Sequence, residues 1–306
     1  MKQLTSSGVE IAYLHEGKGP AVVVGHCSSA SHKEWLPLIE ALKADWRVLA
    51  PDLIGYGSSA PWPADKPFKA EADLDVLTAI AKKSRGALHL VGHSYGAALA
   101  LETTRRLGNR VKSLTLVEPV SFHLLRQERR PEWGEVEQLG KAVLGGVANG
   151  DDSAAAAAFM SYWLGRWRWR LSPERFKSAI VATIPKVALE FGIIVDAPTT
   201  LKDYASVTVP TLLIKGSKTR APTRAVVDLL GEALPNAKVA TLKGAGHMSP
   251  VHPSRRAQPV DTRSPRRSAV TFTPSPSPSS STSRANSSSS SFAWVMALAR
   301  TFSRSV

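Results

Sequence analysis

The chain has 306 residues, 43% of them hydrophobic, with one cysteine and 39 Lys and Arg against 25 Asp and Glu, a formal net charge of +14 at pH 7. That apolar share is normal for a globular protein with a sizeable core, and the lone Cys27 excludes an intramolecular disulfide and suits a reducing, cytoplasmic compartment. The charge resembles a nucleic-acid signal until it is divided: residues 251–306 hold eight Arg, no Lys and one Asp, a net +7, so residues 1–250 carry only a mild +7.

The opening stretch, MKQLTSSGVEIAYLHEG, has no apolar core, so no secretory signal is expected. No run of about 18 apolar residues occurs, so no transmembrane helix is expected either. A first strand is expected over 9–14. AVVVG at 21–25 is a short apolar run closed by turn residues, the mark of a buried parallel strand. A helix follows over 35–42, a strand over 47–50 with the Gly-rich turn PDLIGYGSS, and a helix over 70–82. Then come a strand over 88–92, a helix over 95–107 and a strand over 111–117.

From about 121 to 207 the rhythm breaks. Helical segments at 135–144, 154–164, 173–182 and 187–195 follow one another without strands. Alternation resumes with a strand at 211–216, a helix at 223–234 and a strand at 238–244. Repeated β–α units imply an α/β fold, a mainly parallel sheet flanked by helices and joined by right-handed crossovers. The expected division is a core of residues 1–120 and 208–253, a helical lid over 121–207, and a tail over 254–306. The tail is dominated by Ser, Pro and Arg and lacks periodic apolar positions, so disorder is expected there. Its abrupt change of character also resembles an out-of-frame reading of a GC-rich gene.

Gly92-His93-Ser94-Tyr95-Gly96 fits G-x-S-x-G, following an expected strand and opening an expected helix. A serine on so tight a turn needs neighbours with almost no side chain. Together with GHCSSASHKEW, PDLIGYGSS and GAGHMSP in this order, the motif resembles the α/β-hydrolase superfamily, in its lidded, esterase-like serine form. The resemblance covers about residues 9–250. It implies an α/β-hydrolase fold, Ser94 as nucleophile and a histidine base after the last strand. His247 in KGAGHMSP takes that place, and imidazole suits a proton shuttle near pH 7. Of the other histidines, His15, His32 and His123 read as surface residues, His89 as structural, His93 as a packed or lid-facing side chain, and His252 as a rival.

The acid is harder to find. Most relatives carry it three residues after a glycine that ends the next-to-last strand. Here that count from Gly216 reaches Thr219, with no carboxylate nearby. The superfamily uses a second place, the end of the strand after the nucleophile strand, and Glu118 stands there in SLTLVEPVSF. Asp203 and Asp196 are rivals, and a Ser–His dyad is the remaining alternative. Asp52 reads as a brace for its own Gly-rich turn.

The resemblance also implies an oxyanion hole of two backbone amides. Tyr95 supplies one. Ser28 supplies the other if His26-Cys27 replaces the usual His-Gly, whereas an alternative alignment gives that place to Cys27. Cys27 itself reads as a small packed residue, not a second nucleophile. In the helical insert, Trp163, Trp167 and Trp169 line a pocket or a packing seam, and Arg166, Arg168 and Arg170 form an exposed basic edge. No dinucleotide, Walker or metal-spaced motif is present, so no cofactor and no metal are expected.

The expected function is cleavage of a small carboxylic ester through an acyl-enzyme, with a small-molecule substrate and no nucleic-acid or membrane partner. A lactone, amide or carbon–carbon bond would suit the same three residues. A non-catalytic binding scaffold is the reading of another class, prompted by the empty place at Thr219. A third reading makes the basic tail an RNA- or membrane-binding arm, which its few scattered aromatics do not favour.

Overall fold

A computed structural model describes residues 1–69, 71–84, 86–249 and 258–263, the last six as backbone. Nine strands form one sheet: β1 (Lys2–Ser6), β2 (Val9–Glu16), β3 (Ala21–Gly25), β4 (Arg47–Pro51), β5 (Leu88–His93), β6 (Val111–Val117), β7 (Thr211–Gly216), β8 (Ala237–Lys243) and β9 (Gln258–Arg263). Their order is β1-β2-β4-β3-β5-β6-β7-β8-β9. From β4 across to β8 every pair is parallel, whereas β1, β2 and β9 join antiparallel at the two ends. This is the expected fold class.

Alternation within the strands sets the layers. Val22 and Val24 of β3 pack with Trp35, Leu38, Ile39 and Leu42 on one face. Val23 joins Leu49, Leu90, Leu101 and the larger core on the other. All five residues of β3 are buried, as a strand covered on both faces requires. The core helices are α1 (Leu36–Leu42), α2 (Glu71–Lys82), α3 (Tyr95–Leu107) and, after β7, α10 (Ala221–Ala233). Because parallel strands all point one way, β5, β6, β7 and β8 end along a single edge.

Between β6 and β7 lie α4 (His123–Gln127), α5 (Trp133–Ala148), α6 (Asp152–Leu164), α7 (Arg166–Arg170), α8 (Glu174–Ile194) and α9 (Leu201–Tyr204). The helices expected at 173–182 and 187–195 are one 21-residue helix with Pro185 inside it. A proline removes one ladder bond and normally ends or kinks a helix. Here Ile180, Ile184, Val187, Phe191 and Ile194 make a continuous buried stripe at helical spacing, which carries the helix through.

Two strands escape the sequence reading. β1 is polar, KQLTS, and is held by a two-residue turn in which Ser7 and Gly8 both have positive φ, 50° and 78°. β9 interrupts the tail expected to be disordered and pairs antiparallel with β8, whose outer backbone groups would otherwise lack partners. The rest of that tail lies outside the described residues. Val117, Leu212, Ile214 and Ala240, the apolar group at that end of the sheet, are buried.

Candidate active site

Ser94 sits between β5 and α3 with φ 54° and ψ −116°, outside the regions open to ordinary residues. The turn is possible because its flanks have no side chain. A Cβ on Gly92 would strike the backbone of Gly96, and one on Gly96 would strike Gly25 and His26. The Ser94 amide is tied to the Val117 carbonyl at 2.9 Å. The β5–β6 register sets His93 opposite Val117, so Glu118 leaves its strand beside Ser94.

His247 completes the group. Its Nε2 lies 2.9 Å from Ser94 Oγ and its Nδ1 3.1 Å from Glu118 Oε2. A carboxylate accepts, so Nδ1 carries the proton and Nε2 is free to accept from the serine hydroxyl. Glu118 is 2% exposed and is itself turned by a positive φ of 50°. Its Oε1 takes the Gly216 amide and its Oε2 the Thr219 hydroxyl. The position that carries no carboxylate therefore carries a donor to one. Burial draws the His247 imidazole below its ordinary value, against the raising pull of Glu118.

The rival acids stand elsewhere. Asp203 caps α9 through Thr200, and Asp196 pairs with Arg126 at 3.0 Å, both exposed. Asp52 accepts from the Ser58 and His32 amides and braces its turn. His123, expected at the surface, is buried beside Tyr204, because its neighbours Phe122, Leu124 and Leu125 pack into the core; burial lowers it to about 4. His32 is held by Asp52 at 2.8 Å and His89 by Ser113 at 2.7 Å. His252 lies outside the described residues.

Of the two candidate loop amides, Cys27 N–H donates to Glu34 Oε2 at 2.8 Å. The amides of Ser28 and Tyr95 have no acceptor among the described residues. Tyr95 is the first residue of a 13-residue helix, so its N–H points outward at the positive end. The Cys27 thiol is buried and held well above its ordinary value, by burial first and then by Glu34. It is a protonated packing residue.

Three features were not legible in the sequence. First, Glu34 Oε1 holds His93 Nδ1 at 2.6 Å, and His93 Nε2 donates to the His247 carbonyl at 3.0 Å. Both ring nitrogens donate, so His93 is a cation. Burial opposes that charge but Glu34 outweighs it, and the carboxylate in turn is held low by His93 in spite of its burial. Cys27, Glu34 and His93 bring ligand atoms within 4.8 Å of one another. With both imidazole nitrogens and both carboxylate oxygens engaged, this set fits an ion pair and not a metal.

Second, Lys186 and Glu190 of α8 reach into the core. Lys186 donates to Asp73 at 2.7 Å and Glu190 at 3.0 Å, and Glu190 also accepts from Tyr56 and from Ser28 Oγ. Tyr95 OH donates to Asp73 at 2.8 Å. The only trace in the sequence is a Lys and a Glu four apart on an otherwise apolar helix face. Third, the three tryptophans diverge. Trp163 of α6 stacks on His247 at 3.7 Å and 19°, Trp169 packs against Phe176, and Trp167 is 72% exposed.

Residues 14–260 match the model of the alpha/beta hydrolase family. Among curated proteins, the chain is 24% identical over 258 residues to Lipase 1 of Psychrobacter immobilis, 81% of this chain and 78% of the lipase. It is 33% identical over 97 residues to the probable lysophospholipase BODYGUARD 3 of Arabidopsis thaliana, 31% of this chain and only 19% of that one. Among solved structures, an alpha/beta hydrolase from Sphaerobacter thermophilus DSM 20745 superposes with a TM-score of 0.64 at 25% identity, over 80% of this chain and 94% of the other.

The strain at Ser94 has a measurable sign. Ser94→Gly and Ser94→Ala both lose the hydroxyl, but only alanine keeps a Cβ at this φ. The glycine variant is expected to be more stable than the alanine one by about 1–2 kcal/mol in denaturant unfolding, the reverse of the usual order. An alanine variant more stable than the glycine one, the usual order, would mean that the turn carries no strain.

Proposed function

The chain belongs to the alpha/beta hydrolase family, and on that premise we propose that it is a serine hydrolase cleaving a small carboxylic ester. The observation that carries this reading is the continuous chain of contacts from Ser94 Oγ through His247 to Glu118, set on a strained strand-to-helix turn. In the proposed reaction His247 Nε2 takes the Ser94 proton as Oγ attacks the ester carbonyl. The oxyanion is received by the amides of Ser28 and Tyr95. As the tetrahedral species collapses, the proton on Nε2 passes to the departing alcohol. Water, deprotonated at the same nitrogen, then attacks the acyl-enzyme and releases the acid. Glu118 keeps the imidazole in the Nδ1–H form and stabilises it when charged.

The helices of 121–207 act as a lid over the core of 1–120 and 208–253. Trp163 over His247 and exposures of 6% for Ser94 and 4% for His247 support a substrate of modest size. The donor role of Thr219 supports the catalytic reading over a binding scaffold, since the acid is displaced and not missing. No helix among the described residues is long and apolar enough to cross a membrane. The single buried thiol supports a cytoplasmic setting.

Fluorophosphonate labelling and turnover of short p-nitrophenyl esters are expected for the wild type and absent for Ser94→Ala. Equal labelling of both would end the hydrolase reading. The pH profile tests the acid. Because His247 sits below its ordinary 6.5, the acid limb of kcat/KM should have its midpoint below that value. Removing the carboxylate in Glu118→Gln takes away a raising influence, so the limb should move lower still while kcat falls on the order of 10³-fold or more. An unmoved limb with full turnover would exclude Glu118.

A further inference from the structure

Residues 166–171 read RWRWRL and form α7 with the turn after it. Helical spacing sorts them. Trp169 turns inward and is 8% exposed, whereas Trp167 at 72% and Leu171 at 80%, four residues apart, share the outward side. Arg166, Arg168 and Arg170 are exposed and make no ion pair among the described residues. The Arg170 guanidinium lies 5.9 Å from the centre of the Trp167 ring. Arg175 extends the positive charge, and the one carboxylate of this stretch, Glu174, is paired with Lys177 at 2.8 Å.

The patch is exposed, with a large indole and a leucine set among guanidinium groups. Its complement must be anionic at the surface and apolar just beneath, without demanding a shaped pocket. A nucleic acid answers the arginines but offers Leu171 nothing and needs a groove to follow its backbone. The chain's own residues 264–306 bring five Arg and no acidic side chain, so charge turns them away. We propose that α7 docks this protein onto the surface of anionic phospholipid bilayers. The arginines pair with lipid phosphates, Trp167 sits at headgroup depth and Leu171 enters the acyl boundary.

The test is co-sedimentation of the full chain with vesicles of phosphatidylcholine alone and of phosphatidylcholine mixed with phosphatidylglycerol. Binding is expected to the mixed vesicles only and to weaken as salt rises. Replacing Arg166, Arg168 and Arg170 together by Gln should lower partitioning by roughly a hundredfold, about fivefold for each charge. Trp167→Ala with Leu171→Ala should weaken binding at every salt concentration. All these positions are exposed, and unchanged melting verifies the fold. Absent binding, or binding that the variants leave intact, overturns the proposal. So does binding to single-stranded RNA that the triple variant loses, which would assign the patch to nucleic acid. Ser94→Ala should bind vesicles like the wild type, so the result does not depend on the chemistry.

A separate observation carries a second inference, which rests on the hydrolase reading. Glu34 holds the Cys27 amide with one oxygen and His93 with the other, and His93 holds the His247 carbonyl. One buried ion pair thus fastens the loop bearing Ser28, the turn bearing Ser94 and the loop bearing His247. We infer that Glu34 and His93 are positioning residues that set the distance between base, nucleophile and oxyanion amides. Neither touches the reacting atoms. His93→Leu should lower kcat roughly 10- to 100-fold, the scale of a misplacement near one ångström, with KM little changed. His93→Gln, whose amide still donates toward the His247 carbonyl, should recover part of the loss. Glu34→Gln keeps an acceptor for Cys27 and should lower kcat less than His93→Leu. A folded His93→Leu with wild-type kcat, or a His93→Gln no better than it, overturns the inference. If the wild type itself is not labelled, it is the hydrolase reading that fails.

Discussion

A carboxylate buried as deeply as Glu118 needs hydrogen-bond donors around it. Glu118 has three: the Gly216 amide, the Thr219 hydroxyl and His247 Nδ1–H. They arrive from β7, from the turn after β7 and from the loop after β8. Those segments meet at Glu118 because β6, β7 and β8 are adjacent, parallel and in a register that ends them together. Remove the carboxylate and three segments would be left facing an empty centre. The acid thus organises the edge of the sheet as well as the imidazole. Thr219 stands where a carboxylate was sought, and a hydroxyl there satisfies the carboxylate that has moved one strand over.

His247 is held from two sides. Its side chain is fixed by Glu118, and its backbone carbonyl by His93, which is itself charged and anchored on Glu34. A buried ion pair is weak support for stability, since desolvation offsets most of the attraction. Its value here lies in direction. Glu34 satisfies His93 with one oxygen and the Cys27 amide with the other. The Ser28 amide, next along the chain, has no acceptor among the described residues, as the proposed oxyanion site requires. The sequence favoured Ser28 over Cys27, and the hydrogen bond from the Cys27 amide to Glu34 supports the same choice.

What was legible in the sequence was whatever depends on near neighbours. AVVVG reads as a buried strand because every residue in it is apolar, and GHSYG reads as a tight turn because glycine stands where a side chain would collide. Ser94, His247 and Glu118, which the structure brings into contact, were singled out by motif, chain order and strand ends, all local marks. The missed features depend on distance. Glu34 and His93 lie 59 residues apart, and Tyr56 and Glu190 134 apart, with no local pattern to announce either pair. The error at Pro185 has the opposite cause. The local rule was sound, but a buried stripe on both sides of the proline outweighed it.

The polar network of α8 follows the same logic at the insertion. Lys186 is surrounded by Asp73, Glu190 and three aromatic rings, and although burial opposes its charge, the two carboxylates hold it above its ordinary value. One cation against two carboxylates leaves the network short of positive charge. Burial accordingly raises Glu190 in spite of Lys186. Glu190 also accepts the Ser28 hydroxyl, so the helix that covers the site and the loop that carries a proposed oxyanion donor share a hydrogen bond. Glu190 takes Lys186 from its own helix but Tyr56 and Ser28 from the core, so one polar network sets both the seat of α8 and the place of the Ser28 loop.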